Sequence, residues 1–299
     1  MTFSLVAADP ETGEVGVAVQ SKYFAVGAVV PWAKAGVGAV ATQAAGVAAY
    51  GPRVLALLEQ GLAPEAALEA VLADDPDRET RQLGVVSADG VAVSFTGRGC
   101  LAWAGGIARP GFAAQGNILA GEAVVDELVR AFEQTSGSLA ERLLAGLEAA
   151  QAAGGDRRGQ QSAALVVERS GAAAESRDGV DRVVDLRVDD HPAPIAELRR
   201  LLEIQRRWDA LRLASGRYAA RDYEAGIAIL TEALTRFPDD PTLLYDLACY
   251  ESLAGETASA LAHLDRSVSL QPAYREAAAA DGDFDRLRDE PRFRALIGA

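Results

Sequence analysis

The sequence predicts an α+β chain: two stacked antiparallel sheets with helix pairs outside them, followed by an all-α region. Three observations carry this. Strand-like apolar stretches come in runs, and the helical segments between the runs come in pairs, not as single crossovers. The 299 residues suffice for about two domains, each able to bury a core. Beyond residue 208 the pattern changes to a helical repeat with a 34-residue period. The expected domains are therefore residues 1–208 and 209–299.

The chain opens on a β-hairpin. Residues 2–8 and 14–21 are its strands, rich in Val, Leu and Ala. Asp9-Pro10-Glu11-Thr12-Gly13 is the turn: Pro presets φ, Asp bonds its own backbone, and Gly permits positive φ. A hairpin centred near Glu11 and Thr12 pairs positions summing to about 23, within a register step or two, which puts Thr2 opposite Ser21 with Lys22 next along the strand.

Residues 25–31 and 36–43 read as two further strands around a turn at 32–35. A Gly and Ala run at 44–49 leads to a helix over 52–59, ended by Gly61, and Pro64 opens a second helix reaching residue 72. Residues 83–87 and 91–94 form a hairpin around Ala88-Asp89-Gly90. Short strands follow at 101–107 and 112–115. Helices are expected over 117–133 and 139–152, with apolar residues three and four apart, such as Val124, Leu128 and Phe132. After a polar turn at 154–159 come strands at 162–168 and 182–188.

A helix over 197–213 links the two regions. At an offset of 34 residues, Leu213 matches Leu247, Ala214 matches Ala248, Gly226 matches Ala260, Leu230 matches Leu264, Ala233 matches Ser267 and Pro238 matches Pro272. Residues 276–296, with Phe284, Leu287 and Phe293, read as a terminal cap.

Composition narrows the function classes. A net charge of −14 argues against nucleic acid or an anionic membrane as partner. The two cysteines, Cys100 and Cys249, make no disulfide framework and point to a reducing compartment. The apolar stretch at 26–47 is broken by Pro31, Lys34 and glycines, which excludes a membrane span, and the N-terminus lacks a signal-peptide pattern. A cytoplasmic location is expected. Asp189-Asp190-His191 offers metal-ligand types, but neighbours along a strand face opposite ways, so no metal is expected.

The small residue after Met1 predicts removal of that Met, with Thr2 as the new chain end. A terminal Thr carries a hydroxyl nucleophile and its own α-amine as base, with a reference pKa of about 7.7–8.0. A nearby lysine would lower both groups' pKa values. Lys22 and Lys34 are the only two lysines among 29 basic residues.

Four segments, in order, carry a family resemblance: MTFSLVAADPETGEVGVAVQSKYFAVGAVVPWAKAGVGAVATQA, GNILAG, LAERLLAGLEAAQAAGGDRRGQQSAALVV and RVDDHPAPIAELRRLL. Over roughly residues 1–208 the chain resembles domain-of-unknown-function family 1028, which is grouped with the N-terminal-nucleophile hydrolases. The resemblance implies a four-layer αββα sandwich. It implies Thr2 as the processed nucleophile and Asp156 as the group that orients its amine. It implies an approach loop at Gln115-Gly116-Asn117 and an oxyanion hole from the amides of Ala44, Ala45 and Gly46. Ser21 stands where the family pattern has an acidic residue opposite the nucleophile. The lysine expected on the third strand is missing, so Lys22 is assigned to tune Thr2. The C-terminal region resembles a tetratricopeptide repeat, with Ala210 and Leu244 in the usual Trp slot.

The expected function is hydrolysis of an amide bond in a small molecule or short peptide, with no metal or organic cofactor. The alternative is a non-catalytic scaffold: the αββα domain as platform, the helical repeats as surface for a protein partner. A homo-oligomer is expected in either case.

Overall fold

The computed structural model describes residues 2–175 and 179–298. Met1, whose removal the sequence predicts, lies outside them. The chain divides into two compact units, Met1–Leu201 and Leu202–Ala299, and the division falls within a long helix, Pro194–Ala219.

In the first unit the N-terminal hairpin is β1 (Thr2–Asp9) and β2 (Glu14–Ser21). Its register pairs Thr2 with Ser21 and Asp9 with Glu14, as the turn composition predicts. β3 (Pro31–Lys34), β4 (Gly38–Ala44), β5 (Arg81–Ser87) and β6 (Ala92–Thr96) form a four-stranded antiparallel sheet in that order. β7 (Gly105–Arg109), β8 (Phe112–Asn117), β9 (Ser162–Arg169) and β10 (Arg182–Val188) join the hairpin in a six-stranded sheet. Its strand order is β10-β9-β2-β1-β8-β7, so β1 is central, between β2 and β8.

Alternation along the strands decides what each face meets. Val6, Val15, Val17 and Val19 of the six-stranded sheet share one buried cluster with Ala39, Ala41 and Val86 of the four-stranded sheet. The opposite face of the four-stranded sheet, with Val40, Leu83 and Val85, packs on α1 (Tyr50–Glu59) and α2 (Pro64–Leu72) through Val54, Leu58, Leu68 and Leu72. α3 (Ala123–Gln134) and α4 (Leu139–Ala152) cover the other face of the six-stranded sheet, where Leu5 lies against Gly146 of α4. A single turn, α5 (Ala172–Glu175), follows β9.

Several expectations shift, and the strand expected at 101–107 is β7, which begins only at Gly105 and runs to Arg109. Residues Val26–Ala28 form a 3-10 turn, and the segment read as a turn is instead β3. Pro31 opens that edge strand, where its missing N–H costs nothing. The helix expected from residue 117 begins only at Ala123. Asn117 ends β8 instead, because it pairs with Thr2 and its amide is used between the sheets.

The second unit is helical. α6 (Pro194–Ala219) leads into α7 (Tyr223–Arg236), α8 (Pro241–Ala254), α9 (Thr257–Leu270), α10 (Tyr274–Ala280) and α11 (Pro291–Ile297). Asp222 caps α7 by accepting the Ala225 N–H, and Asp240 caps α8 by accepting those of Thr242 and Leu243. Ala214 and Ala248 are both fully buried, as are Leu230 and Leu264. Leu213 breaks the 34-residue equivalence: it is 63% exposed where Leu247 is 1% exposed. Among the described residues of this unit, no helix covers Leu213. A Cβ at Gly226 would stand 2.3 Å from the Tyr250 ring, so α7 approaches α8 through a hydrogen. Gly226→Ala is therefore expected to destabilise this unit by about 1–3 kcal/mol, read by thermal unfolding. An unchanged midpoint would mean that the Tyr250 ring simply moves aside.

Titratable groups give this unit a pH dependence. Burial, reinforced by Asp281, Asp240 and Asp283, pushes the Asp246 carboxyl up to about 6 from an ordinary 3.8. The folded chain thus holds that proton more tightly, and the contribution is fully present below about pH 4 and lost as pH rises through about 6. His263, bonded to Glu251 at 2.8 Å, is raised above its ordinary 6.5 by that bond, so its contribution is present below 6.5 and lost above its folded pKa. Asp246→Asn is expected to match wild type near pH 4 and to exceed it at pH 8 by about 1–2 kcal/mol. Denaturant melts at the two pH values test this; equal stabilities at pH 8 would refute it.

Candidate functional site

Thr2 begins the central strand of the six-stranded sheet. Its two lateral partners are Ser21 on β2 and Asn117 on β8. The Thr2 Oγ1 and Ser21 Oγ atoms lie 3.0 Å apart, and either can donate. Thr2 is 6% exposed and Ser21 1%. Both side chains face the four-stranded sheet, because Ser4, two residues along the same face, bonds Gln43 of β4.

Behind Thr2 runs a buried belt of amides. The Gln43 Nε2 donates to the Gln82 Oε1 at 2.8 Å and stands 3.4 Å from the Thr2 carbonyl oxygen. Asn117 Nδ2 donates to the same Gln82 oxygen at 2.9 Å. Gln82 Nε2 in turn donates to the Gly116 carbonyl at 2.7 Å and to Thr96 Oγ1 at 2.9 Å. Gln115 Nε2 reaches Ser4 Oγ at 2.7 Å, while its Oε1 is buried with no partner among the described residues. Gln43, Gln82 and Ser4 were not singled out from the sequence. Their signal was present: polar side chains at inward positions of otherwise apolar strands.

Backbone strain gathers at the same place. Four non-glycine residues among those described have positive φ: Ala25, Ala44, Ile118 and Arg221. Ala44 (φ 69°) follows Gln43, and Ile118 (φ 54°) follows Asn117. A β-branched residue in the left-handed region is held there only by strong surroundings, and such residues cluster at functional sites.

Asp156 is buried beside the end of β2. Its Oδ2 accepts the Lys22 peptide N–H at 3.0 Å, its Oδ1 accepts the Arg158 N–H at 2.8 Å, and the Arg158 guanidinium pairs with it at 3.3 Å. Among the described contacts it orients the peptide of Lys22, one residue beyond Ser21, and not an amine of Thr2. Lys22 Nζ donates to the Gln160 carbonyl at 3.1 Å on the exposed surface, and the described partner of the Thr2 hydroxyl is Ser21, not Lys22. Of the three residues expected to supply oxyanion amides, Ala45 gives its N–H to the Thr80 carbonyl at 3.2 Å. Ala44 closes β4, and Gly46 lies in the exposed stretch before α1, which begins only at Tyr50. Gln115 and Asn117 face Thr2's side of the sheet, as belt members. A separate cavity lined by Lys34, Glu168, Asp181 and Arg182 lies at the other end of β9 from Ser162, which pairs with Ser21.

No helix among the described residues is long and apolar enough to cross a membrane. No curated protein matches the chain. Among solved structures, the crystal structure of protein SPO2555 from Silicibacter pomeroyi, a DUF1028 family member, is 34% identical. The likeness covers 68% of this chain and 84% of that one, with a TM-score of 0.61. The family described as "Family of unknown function (DUF1028)" matches residues 2–198, about two thirds of the sequence, and the chain belongs to that family.

Proposed function

We propose that the chain is an N-terminal-nucleophile hydrolase of an amide bond, with Thr2 as nucleophile. The observation that carries this reading is the buried Thr2–Ser21 hydroxyl pair, 3.0 Å apart, at the head of the central strand. In this reading the two sheets with their outer helix pairs are the αββα sandwich of that class. Removal of whatever precedes Thr2 frees its α-amine. The amine takes the hydroxyl proton as Oγ1 attacks the substrate carbonyl, forming a C–O bond. The C–N bond then breaks and the leaving amine departs with that proton. Water, deprotonated by the same amine, hydrolyses the resulting ester, so that amide plus water gives acid plus amine. Asn117 Nδ2 has a second hydrogen beyond the one given to Gln82, and it is the donor we assign to the oxyanion. Ser21 holds the Thr2 rotamer, and Asp156 fixes the turn after Ser21.

The helical unit reads as a pair of tetratricopeptide-like repeats, supported by the matched burial of Ala214 with Ala248 and Leu230 with Leu264. A non-catalytic platform is favoured by one observation: Thr2 is 6% exposed. Intact mass before and after a β-lactone probe separates the readings. Loss of Met1 with one adduct on Thr2 supports the hydrolase. A retained residue before Thr2, or no adduct, supports the platform.

A further inference from the structure

We propose that the substrate of the Thr2 site carries a carboxylate on its non-reacting part, held by Lys22 and Arg157; this rests on the reading of Thr2 as nucleophile. Both residues are placed by Thr2's own strand partners. Lys22 follows Ser21, and its peptide is fixed by Asp156. Arg157 follows Asp156, and its N–H stands 3.5 Å from the carbonyl oxygen of Ile118, the residue after Asn117. With cross-strand Cα spacings of about 5 Å and 3.8 Å per residue along the chain, the Lys22 Cα lies within about 9 Å of the Thr2 Cα and the Arg157 Cα within about 16 Å, each at the root of a long side chain.

Neither charge is answered by a carboxylate among the described residues. Lys22 Nζ has a carbonyl oxygen, and both side chains are exposed. The chain's other lysine, Lys34, is bonded to Glu59 at 2.6 Å. Asp156 cannot serve, because its two oxygens are taken by the Lys22 and Arg158 peptides and the Arg158 guanidinium. Asp190, on the same rim, accepts the Gln161 side-chain amide at 3.1 Å. In a chain of net charge −14, two unanswered cations flanking one strand end make a local attractor for an anion. An arginine fork suits a carboxylate, and the lysine adds a second donor.

The test uses full-length protein lacking anything before Thr2. Labelling of Thr2 by the β-lactone is measured with increasing glutarate or its neutral counterpart, glutaramide. Glutarate is expected to protect at a concentration about tenfold lower than glutaramide, the size of one charge-assisted hydrogen bond. That ratio is expected to collapse in Arg157→Ala and in Lys22→Met, to persist in Arg157→Lys, and to be unmoved in Arg275→Ala. A fold defect would change both protecting concentrations together and leave the ratio alone. Equal protection by the two compounds, or a ratio that survives in the variant carrying both Lys22→Met and Arg157→Ala, overturns the proposal. If Thr2 takes no label, the nucleophile reading fails by itself, and calorimetric titration of glutarate decides the charge site. Binding that Arg157→Ala abolishes sustains it, and no binding overturns it.

Discussion

On the proposed reading of Thr2 as nucleophile, Thr2→Ala is expected to lower amide hydrolysis by at least about 10³-fold and to abolish the lactone adduct, because the attacking hydroxyl is gone and the Ser21 hydroxyl has no terminal amine of its own as base. Thr2→Ser keeps the hydroxyl and its neighbour Ser21, and is expected to retain labelling at a reduced rate. The structural cost of the alanine change is small. It removes one hydroxyl bond to Ser21, worth about 1 kcal/mol, from a strand held on both sides by β2 and β8. The thermal midpoint is therefore expected to move little while activity disappears. Activity retained in the alanine variant would remove Thr2 from the chemistry altogether and leave the platform reading.

The largest effect on stability is expected at Gln82. It is fully buried and holds partners from both sheets: the Asn117 and Gln43 amides on its oxygen, the Gly116 carbonyl and Thr96 hydroxyl on its nitrogen. Gln82→Leu keeps approximate volume but leaves those groups without their partner. Thr96 is only partly buried and Gln43 Nε2 keeps the Thr2 and Gln115 carbonyls, so the Asn117 amide and the Gly116 carbonyl carry the loss; at about 1–3 kcal/mol per buried orphan the sum is roughly 2–6 kcal/mol, a large part of a domain's net stability. Gln82→Glu is no rescue, since it loses the donor to Gly116 and buries a charge. Chemical denaturation, following the unfolding of the first unit, tests this. A loss below about 1 kcal/mol would mean that water replaces the amide.

The residues of the candidate site were not equally legible in the sequence. Thr2 and Ser21 were, to within a register step or two, because the centre of the turn decides which side chains of a hairpin meet; the loop proves to be four residues, closed by the Asp9–Glu14 pair. α2, α4 and β10 were legible through periodicity and a first-turn proline, and the structure bounds them at the residues expected. Asn117 was misplaced into a helix, since GNILAG has no strand periodicity and its strand character comes from pairing with Thr2, 115 residues away. The ammonium of Lys22 and the amide of Ala45 were assigned to the site from sequence order. The structure gives them to Gln160 and Thr80 instead, because backbone carbonyls of neighbouring loops reach them first.

What the sequence by itself determined is the hairpin with its Thr2–Ser21 pair, the strand runs with paired helices, and the buried positions of the helical repeat. These follow from local geometry: turn type, side-chain alternation, and the spacing of apolar residues along a helix. What only the tertiary structure decided is the third side of Thr2, with Asn117 beside it and the glutamines of β4 and β5 behind it. Those contacts join strands distant in sequence across two sheets, and the buried amide groups find partners only once the sheets stack.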